Sequence, residues 1–354
     1  MHGKFSMILV TGGAGYIGSH TALALIEAGK EVVVIDNLVN STTASIKAIE
    51  KITEKPVNFI NGDLGNQIFL RSIFNKYRIT DVIHFAGLKS VGESNLNPIY
   101  YYENNVTGTL NLIKVMGESG CKRLIFSSSA TVYGQPKNLP ITEDFPLMAT
   151  NPYGQSKLFI EKILSDLKKS DDHWNIIVLR YFNPAGAHSS GILGENSRSK
   201  PNNLFPLISR VAAGHVPHLE VFGGDYPTND GTGVRDYIHI NDLACGHIKA
   251  LEILPNHLDL LTINLGTGAG HSVIEIINEF EKLSNRQIPY KILNRRSGDV
   301  PACYADVSYA KKILEWETKL TLTDMVRDQW RWQRKTLDKM VIDGPTMLQG
   351  SLEK

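Results

Sequence analysis

The chain has 354 residues, of which 42% are hydrophobic and 21% are charged, and its formal net charge is +1. This composition is typical of a folded globular protein and excludes a disordered or fibrous chain, while the length predicts two domains. The 37 basic residues balance 36 acidic ones, so no nucleic-acid or membrane partner is expected. The expected partner is a small molecule bound at a local site.

The first half of the chain alternates short apolar, β-branched runs with longer stretches of helical spacing. Apolar runs without polar alternation are typical of strands buried on both faces, as in a parallel sheet covered by helices. The pattern therefore predicts a doubly wound α/β domain. Strands are predicted at 7–10, 32–35, 57–60, 82–85, 124–127 and 176–179, and helices at 17–28, 68–77, 105–116 and 153–167.

The pattern changes at residues 183–203, which are rich in Gly, Ser, Asn and Pro. A break of this composition is typical of a junction between domains. It predicts a first domain over 7–186 and a smaller α/β substrate-binding domain over 187–340, which ends in a helix at 323–336. The polar residues 341–354 are predicted to be a frayed tail.

The first predicted strand leads directly into a glycine-rich turn. Gly12, Gly15 and Gly18 form the pattern G-x-x-G-x-x-G, and a predicted helix follows. Small residues let the backbone turn tightly and approach a pyrophosphate at the amino end of that helix. A glycine motif alone also fits an ordinary tight turn, but its place between strand and helix indicates a dinucleotide site in a Rossmann-type domain.

Two acidic residues at strand ends refine the expected cofactor. Asp36 directly follows the second predicted strand, and a carboxylate there accepts hydrogen bonds from the adenosine ribose hydroxyls. It also repels a 2′-phosphate, which favours NAD over NADP. Asp63 follows the third strand and suits either the adenine edge or a simple turn, and position alone does not separate these two roles.

Tyr153, Lys157 and Ser129 form the candidate chemical group. Lys157 follows Tyr153 by one helical turn on the same face of the predicted helix. A neighbouring ammonium lowers the pKa of a phenol from about 10, so Tyr153 is expected to accept a proton from a substrate hydroxyl as hydride leaves the carbon. Ser129 ends a strand at the sheet edge where ligands bind and is expected to relay that proton. Taken alone, the Tyr-Lys pair also fits a helix surface, and the serine also fits a turn.

Cys121, Cys245 and Cys303 are too few and too widely spaced for a disulfide framework or a zinc site. No other residues show the spacing of metal ligands, so no metal is predicted. Reduced cysteines and the lack of an amino-terminal signal pattern predict a cytoplasmic protein.

A series of motifs carries a resemblance that extends from Met7 to Gln333. In chain order they are TGGAGYIGSH, IDNLVNS, HFAGLKSVGES, SSSATVYG, NPYGQSK, LRYFNPAGAH, PNNL, DGTGVRDYIH and RRSGDVPACYAD. Their order and spacing resemble those of the UDP-glucose 4-epimerase family, within the extended short-chain dehydrogenase/reductase superfamily. The resemblance also implies a homodimer formed through helices 97–116 and 153–167.

The activity that the resemblance implies is a redox isomerisation of UDP-glucose and UDP-galactose with tightly bound NAD⁺. Tyr153, as phenolate, takes the proton of the C4 hydroxyl while the C4 hydride passes to the nicotinamide. The 4-keto sugar turns about its diphosphate and takes the hydride back on its other face, and Ser129 and Tyr153 return the proton. The implied cofactor pocket comprises Gly12, Gly15, Tyr16, Ile17, Gly18, Asp36, Asn37, Asn40, Ser41, Asp63, Leu64, Phe85, Ala86, Gly87, Lys89, Asn104, Ser129, Tyr153, Lys157 and Phe182.

The resemblance implies a UDP-sugar site in the same region. Arg235 and Arg296 are expected to bind the diphosphate, because a guanidinium matches phosphate oxygens in a bidentate manner. Cys303 stands where a bulky tyrosine in family members restricts the pocket, so UDP-GlcNAc and UDP-GalNAc are also expected as substrates; a small packing residue is the alternative. The implied substrate site comprises Lys89, Ser129, Tyr153, Tyr181, Asn183, Asn203, Leu204, Phe222, Arg235, Arg296, Asp299 and Cys303.

Two other functions stay open at the level of sequence. A nucleotide-sugar dehydratase or decarboxylase of this superfamily would carry ionisable residues just after Ser129, where this chain has Ala130 and Thr131. A non-catalytic dinucleotide sensor would be expected to lack Tyr153 or Lys157, and both are present.

Overall fold

The computed structural model describes residues 6–196, 198, 203–257, 259–296 and 298–342, with side chains as far as Thr336. The tail predicted at 341–354 lies outside these residues from 343 onward. The described strands are β1 (Met7–Thr11), β2 (Val32–Asp36), β3 (Asn58–Asn61), β4 (Ile79–His84), β5 (Arg123–Ser129), β6 (Asn175–Tyr181), β7 (Asn183–Ala185), β8 (Leu219–Phe222), β9 (Val234–Arg235), β10 (Tyr237–His239), β11 (Leu261–Leu265), β12 (His271–Ser272), β13 (Tyr290–Leu293) and β14 (Ala302–Cys303). The described α-helices are α1 (Tyr16–Glu27), α2 (Ala44–Thr53), α3 (Gln67–Lys76), α4 (Val91–Leu96), α5 (Pro98–Tyr102), α6 (Gly108–Glu118), α7 (Pro152–Ser170), α8 (Leu204–Ala212), α9 (Ile240–Ile253), α10 (Val273–Ser284), α11 (Ser308–Leu314) and α12 (Leu322–Ile342).

Seven parallel strands form the central sheet in the order β11-β6-β5-β4-β1-β2-β3. The chain runs outward from β1 to β3, then crosses to β4 on the other side of β1, which creates the switch point where such sheets bind ligands. All of β2 and most of β1 and β5 are buried, because helices cover both faces of the sheet. The predicted α/β fold with a parallel sheet is confirmed.

Each strand predicted in the first half is present, but two helical features differ from expectation. α2 was not predicted, and its buried side chains Ile46 and Ile49 pack on the sheet. The helix predicted at 105–116 begins earlier as α5 and passes through a π-helical turn at Glu103–Thr107 before α6. Asn105 in that turn is buried, and its amide bonds the backbone of Leu88 with N–O distances of 2.7 and 3.1 Å, so the widened turn anchors the loop after β4.

The structure differs from the predicted division of the chain at residue 186. β11 pairs with β6 at the edge of the central sheet, and α9 packs along α1. Leu265 and Trp316 belong to the same hydrophobic core as Val10 of β1. Part of residues 187–340 therefore completes the first domain, because the edge of the sheet and the outer face of α1 need apolar cover that the first half does not supply.

The later part of the chain also builds a second hydrophobic core. Phe205 of α8, Phe280 of α10 and Met325 of α12 pack together there. α10 begins with a capping box, in which Ser272 and Glu275 each bind the other's backbone N–H. Among the described helices, none is both long and apolar enough to cross a membrane.

Candidate active site

A cleft of about 760 Å³ lies at the carboxyl ends of the central strands. Parallel strands all end on one side of the sheet, so residues that follow them meet there although they are distant in sequence. The later part of the chain closes the opposite side of the cleft. Its walls include Gly12, Asp36, Phe85, Ser129 and Tyr181 from strand ends, and Asn183, Asn203, Arg235, Asp299 and Cys303 from the later part.

The glycine-rich turn between β1 and α1 forms one wall of this cleft. Gly12 has a φ of 67°, and a Cβ atom at this position would lie 2.6 Å from the backbone nitrogen of Ala86. A Cβ atom at Gly18 would lie 2.4 Å from the carbonyl oxygen of Gly12. Because both positions exclude a side chain, the amino end of α1 stays open to the cleft and suits a pyrophosphate.

Asp36, the last residue of β2, is buried at the edge of the cleft. Its Oδ2 accepts the backbone N–H of Ala14 at 3.0 Å. Its Oδ1 accepts the Leu38 N–H and the Ser41 hydroxyl, both at 2.8 Å. A carboxylate has about four lone-pair sites, so Asp36 joins the glycine turn to the next loop and keeps capacity for a ribose hydroxyl.

Asp63 lies in the same wall, after β3. One carboxylate oxygen accepts the Gly65 N–H at 2.6 Å, and the other accepts the Asn37 side-chain amide at 2.6 Å. The turn role left open by the sequence is therefore present, and Asp63 lines the cleft as well.

Tyr153 and Lys157 face the cleft from the first two turns of α7. The side chain of Asn151 caps this helix by accepting the Gly154 N–H at 2.9 Å, and Pro152 occupies its first turn. The cap sets where α7 begins and thereby which face carries the two side chains.

Lys157 is held by the strand beneath it. The side chain is buried, its ammonium donates to the Ser127 carbonyl at 2.8 Å, and it lies 4.9 Å from the centre of the Phe126 ring. Burial lowers the pKa of Lys157 to about 8, against the opposing field of Glu161. The ammonium is therefore fixed beside the cleft at neutral pH.

Burial also changes the pKa of Tyr153. It raises the pKa of the phenol, and the interaction with the Ser129 hydroxyl opposes that rise. In the protein alone the pKa of Tyr153 is therefore raised, which differs from the predicted lowering by Lys157. An added positive charge beside the phenol would favour the phenolate.

Ser129 ends β5 next to Tyr153. Its hydroxyl oxygen accepts the Thr131 N–H at 3.2 Å and the Thr131 hydroxyl at 3.0 Å. Because Ser129 is the acceptor in both bonds, its own hydroxyl hydrogen is available for donation. This arrangement suits a relay between a bound hydroxyl and Tyr153.

Arg235 and Asp299 form the far side of the cleft, with 3.9 Å between guanidinium nitrogen and carboxylate oxygen. Cys303 on β14 lies in register with Arg235 on β9, so the small side chain and the charged one border the same space. Tyr181 also lines the cleft, but its hydroxyl hydrogen-bonds the ring of His247.

Three residues predicted for the substrate do not line this cleft: Leu204, Phe222 and Arg296. The guanidinium of Arg296 lies over the Phe222 ring, 3.7 Å from its centre. Leu204 begins α8, just after the lining residue Asn203. The other predicted substrate residues meet in the cleft.

The comparisons with known proteins agree with one another. The sequence model of the family described as GDP-mannose 4,6 dehydratase matches residues 9–329. A UDP-glucose 4-epimerase of Bacillus subtilis is 53% identical over 331 residues, which are 94% of this chain and 98% of that protein. The structure of a UDP-glucose 4-epimerase from Stenotrophomonas maltophila with bound NAD and formylated UDP-arabinopyranose is 44% identical, with a TM-score of 0.92 over 95% of this chain and 100% of that one. A UDP-glucose 4-epimerase from Bifidobacterium longum in complex with NAD⁺ and UDP is 49% identical, with a TM-score of 0.90 over 94% and 99%.

The chain belongs to the UDP-glucose 4-epimerase family. Membership confirms the resemblance carried by the sequence motifs. The match to the family model described as a dehydratase is interpreted as a match of the shared scaffold. Ala130 and Thr131 line the cleft directly after Ser129 and offer no ionisable group for dehydration there.

The cleft of this epimerase-family chain fits the NAD seen in the related structures. The glycine turn excludes side chains where a pyrophosphate would lie, and Asp36 is in place for an adenosine ribose. Every residue predicted for the cofactor lines the cleft: Gly12, Gly15, Tyr16, Ile17, Gly18, Asp36, Asn37, Asn40, Ser41, Asp63, Leu64, Phe85, Ala86, Gly87, Lys89, Asn104, Ser129, Tyr153, Lys157 and Phe182.

Sequence reasoning missed Glu195, which joins two predicted residues across the cleft. Its carboxylate lies 2.7 Å from the Lys89 ammonium and 2.8 Å from the Asn203 amide nitrogen. The one signal in the sequence is that Glu195 is the sole acidic residue of the polar segment 183–203. Its partners are far apart along the chain, so only the fold reveals the contact.

Proposed function

We propose that the protein interconverts UDP-glucose and UDP-galactose by inverting carbon C4, with NAD⁺ retained through the cycle. One observation carries the proposal: Ser129, Tyr153 and Lys157 share a single cleft with the glycine turn, Asp36 and Arg235. A dinucleotide site and a proton-transfer group thus border the same space as a cation suited to a sugar diphosphate.

The residues of the cleft have distinct roles in this reaction. NAD⁺ held beside these residues would supply a reversible acceptor for the hydride of C4. Tyr153, as phenolate, takes the proton of the C4 hydroxyl, and Ser129 hydrogen-bonds the same oxygen. Lys157 supplies a fixed positive charge that favours the phenolate. After the ring has turned, Tyr153 gives the proton back to the same oxygen as C4 regains its hydride.

Turning requires a firm grip on the nucleotide and a loose one on the sugar. Arg235 is directed into the cleft as a diphosphate ligand, with Asp299 beside it. The guanidinium of Arg296 lies over Phe222 outside the cleft, and its predicted role at the diphosphate requires that its N–H groups reach the phosphates when substrate binds. Charged contacts to phosphate are strong and directional, so the sugar ring can rotate without release of the nucleotide.

Purified protein incubated with UDP-galactose and no added cofactor tests this function. Formation of UDP-glucose, followed by chromatography or NMR, is the expected result, and acid denaturation should release NAD from the protein. No conversion even after NAD is supplied would overturn the proposal. Tyr153→Phe serves as the control, because it removes the base and leaves the ring.

The same enzyme is proposed to act on UDP-GlcNAc and UDP-GalNAc. Support comes from the small, half-buried side chain of Cys303 in the cleft wall. Cys303→Tyr should abolish turnover of UDP-GalNAc and spare UDP-galactose, whereas Cys303→Ser should keep both. Unchanged turnover of both substrates by the tyrosine variant would contradict the wide pocket.

The enzyme is also proposed to be a cytoplasmic homodimer. Adjacent helices α4, α5 and α7 expose large apolar side chains, with Leu96 at 81%, Ile99 at 67% and Phe159 at 43% exposure. These three helices pack against one another, and pairing their exposed apolar side chains with those of a second copy would bury them. Free cysteines, with Cys121 buried, fit a reducing compartment.

A further inference from the structure

His247 of α9 lies behind the wall of the cleft, in contact with two residues that line it. Its side chain is fully buried and does not itself line the cleft. The centres of the Phe85 and Tyr181 rings lie 4.8 and 5.2 Å from the centre of its imidazole ring. The hydroxyl of Tyr181 also hydrogen-bonds its Nε2. His247 can therefore influence a bound ligand through these two aromatic side chains.

The hydrogen bonds of His247 have a fixed direction. Its Nδ1 lies 2.8 Å from the backbone carbonyl oxygen of Leu243, and a carbonyl oxygen can only accept, so Nδ1 carries a hydrogen. Burial lowers the pKa of His247 to about 4, so the ring is neutral at pH 7. A neutral imidazole has one N–H group, so Nε2 has no hydrogen and acts as the acceptor. Tyr181 is therefore the donor in the bond between the two side chains.

The direction of this bond decides what Tyr181 offers to the cleft. Its hydrogen is directed at His247, so its oxygen presents lone pairs to the cleft and acts there as an acceptor. Ser127 interacts with the same hydroxyl, and a hydroxyl oxygen has two lone pairs, so one is left for a ligand. Burial raises the pKa of this phenol. Tyr181 is therefore a neutral acceptor, unlike the proposed base Tyr153.

Tyr181 lies at the reacting end of the cleft. It ends β6 and pairs with Ser129 at the end of β5. The glycine turn and Asp36 lie at the ends of β1 and β2, on the other side of β4. A dinucleotide with its pyrophosphate at the glycine turn and its adenosine at Asp36 therefore extends its nicotinamide toward Ser129 and Tyr181. The carboxamide of that ring carries N–H groups, which need an acceptor.

We propose that His247 is a positioning residue for the epimerase reaction, which fixes the Tyr181 hydroxyl as an acceptor for the carboxamide N–H of bound nicotinamide. The inference rests on the proposed function, because it concerns the cofactor of that reaction. A carboxamide held in this way keeps the nicotinamide from turning about its bond to the ribose, so one face of the ring stays directed at the sugar. Tyr181, which is predicted for the substrate, thereby also contacts the cofactor.

The direction of the bond between Tyr181 and His247 is measured on the unmodified, NAD-loaded enzyme. In protein labelled with ¹⁵N-histidine, long-range ¹H–¹⁵N spectra show which ring nitrogen carries the hydrogen, and the His247 signal is assigned through its backbone. We expect the neutral ring with its hydrogen on Nδ1 at pH 7. A hydrogen on Nε2, alone or together with one on Nδ1, would overturn the proposal. This measurement uses no variant, so it stands even if a substitution at His247 folds poorly.

The contact with the cofactor is measured on bound NAD labelled with ¹⁵N in the carboxamide, which an expression host dependent on supplied nicotinamide provides. In the unmodified enzyme one carboxamide proton should lie downfield of its position in free NAD, because it is hydrogen-bonded. His247→Phe keeps an aromatic ring against Phe85 but removes the acceptor. The Tyr181 hydroxyl then turns its hydrogen toward the cleft, since a buried donor left unsatisfied is costly, and the carboxamide proton should return toward its free position. Tyr181→Phe should have the same effect, because it removes the oxygen.

His20→Phe is the matched control. His20 is another buried histidine on a helix, and its Nδ1 lies 2.8 Å from the carbonyl oxygen of Tyr16, four residues earlier, as in His247. Its Nε2 has no hydrogen-bond partner among the residues that the structure describes. The same substitution therefore breaks no side-chain hydrogen bond to the cleft wall, and the downfield proton should stay in place. A downfield proton that persists in His247→Phe, or that is lost equally in His20→Phe, would overturn the proposal.

Turnover separates positioning from a general loss of packing. In His247→Phe, kcat should fall roughly 2- to 10-fold, as expected for one neutral hydrogen bond, with KM for UDP-galactose unchanged. Adding His247→Phe to Tyr181→Phe should cause no further fall, because the two side chains act through one contact. Additive losses would mean that His247 acts through packing and would contradict the proposal. If instead the proposed function is wrong, the unmodified enzyme does not convert UDP-galactose, whereas both NMR signals are independent of turnover.

Discussion

Replacing Asp36 by Asn tests how the cofactor wall is built. The carboxylate accepts three protein hydrogen bonds, from Ala14, Leu38 and Ser41. An amide has only one acceptor oxygen. If that oxygen keeps the two bonds at Oδ1, the new NH₂ group faces the Ala14 N–H and leaves it without an acceptor. A buried donor left unsatisfied costs about 1–3 kcal/mol, and the two remaining bonds lose their charge assistance.

The expected total is about 2–3 kcal/mol of unfolding free energy. One kcal/mol lowers the melting temperature of a protein of 150–250 residues by roughly 2–4 °C, and this chain is longer. At about 2.1 cal/mol/K of unfolding entropy per residue, a chain of 354 residues loses roughly 1.3 °C per kcal/mol, so we expect a melting temperature about 3–4 °C lower for cofactor-free Asp36→Asn. Loss of one charge-assisted bond to the ribose should also weaken NAD binding by roughly 10- to 100-fold.

Differential scanning calorimetry and titration calorimetry with NAD measure the two effects separately. Ser41→Ala is the matched control, because it removes one donor to Oδ1 and keeps the carboxylate; its losses should be below about 1 kcal/mol and a few-fold in affinity. If Asp36→Asn melts and binds NAD like the unmodified protein, or if Ser41→Ala is equally harmful, the proposed role of this carboxylate is wrong.

Four further outcomes are expected. Tyr153→Phe should lower kcat about 10²- to 10⁴-fold in a steady-state assay while NAD stays bound through gel filtration; loss of NAD together with activity would point to a structural role instead. Burial lowers the pKa of Lys157 to about 8, so the unfolded chain binds more protons than the folded protein between pH 8 and 10.5. The free energy of unfolding should therefore rise with pH across that window, and the contribution of Lys157 is absent below it. Urea unfolding should show a rise of up to about 3 kcal/mol in the unmodified protein and no such rise in Lys157→Met. Gly12→Ala should abolish NAD binding and lower the melting temperature by several degrees. Gly214 is the control, because it has a φ of 77° but nothing within 4 Å of an added Cβ, so Gly214→Ala should cost only about 1–2 kcal/mol of backbone strain. Equal losses in the two variants would exclude the steric clash at Gly12 as the cause. Ile99→Glu should shift the sedimentation coefficient from dimer to monomer, and an unchanged value would place the interface elsewhere.

Local sequence patterns identified the strands and the helix α7 because each such element carries its own burial signal. β2 consists of consecutive apolar residues up to Asp36, so both its faces had to be covered. An Asn-Pro pair such as Asn151-Pro152 is typical of a helix start, and α7 does begin there. Side-chain roles that depend on one element, such as the pairing of Tyr153 with Lys157 along one helical face, were accessible in the same way.

The strand β11 shows where this reasoning stops. Its residues Leu261–Leu265 alternate apolar and polar side chains over only five positions, a pattern that fits several sheets equally well. Which sheet it joins depends on the free edge of β6, on the other side of the composition break. A partner of this kind is chosen by the packing of the whole chain and leaves no mark on the local pattern.

Sequence by itself determined the parallel sheet, the glycine turn, the acid at the end of β2 and the Tyr153–Lys157 spacing on α7, since these are set by periodicity and by conformations that few residues adopt. Only the tertiary structure decided that Glu195 bridges Lys89 and Asn203, and that Glu161 meets Arg180 behind Lys157. Each of these contacts joins separate elements. The physical reason is that a buried charge must find its partner in space, and the distance along the chain does not limit which partner the fold brings to it.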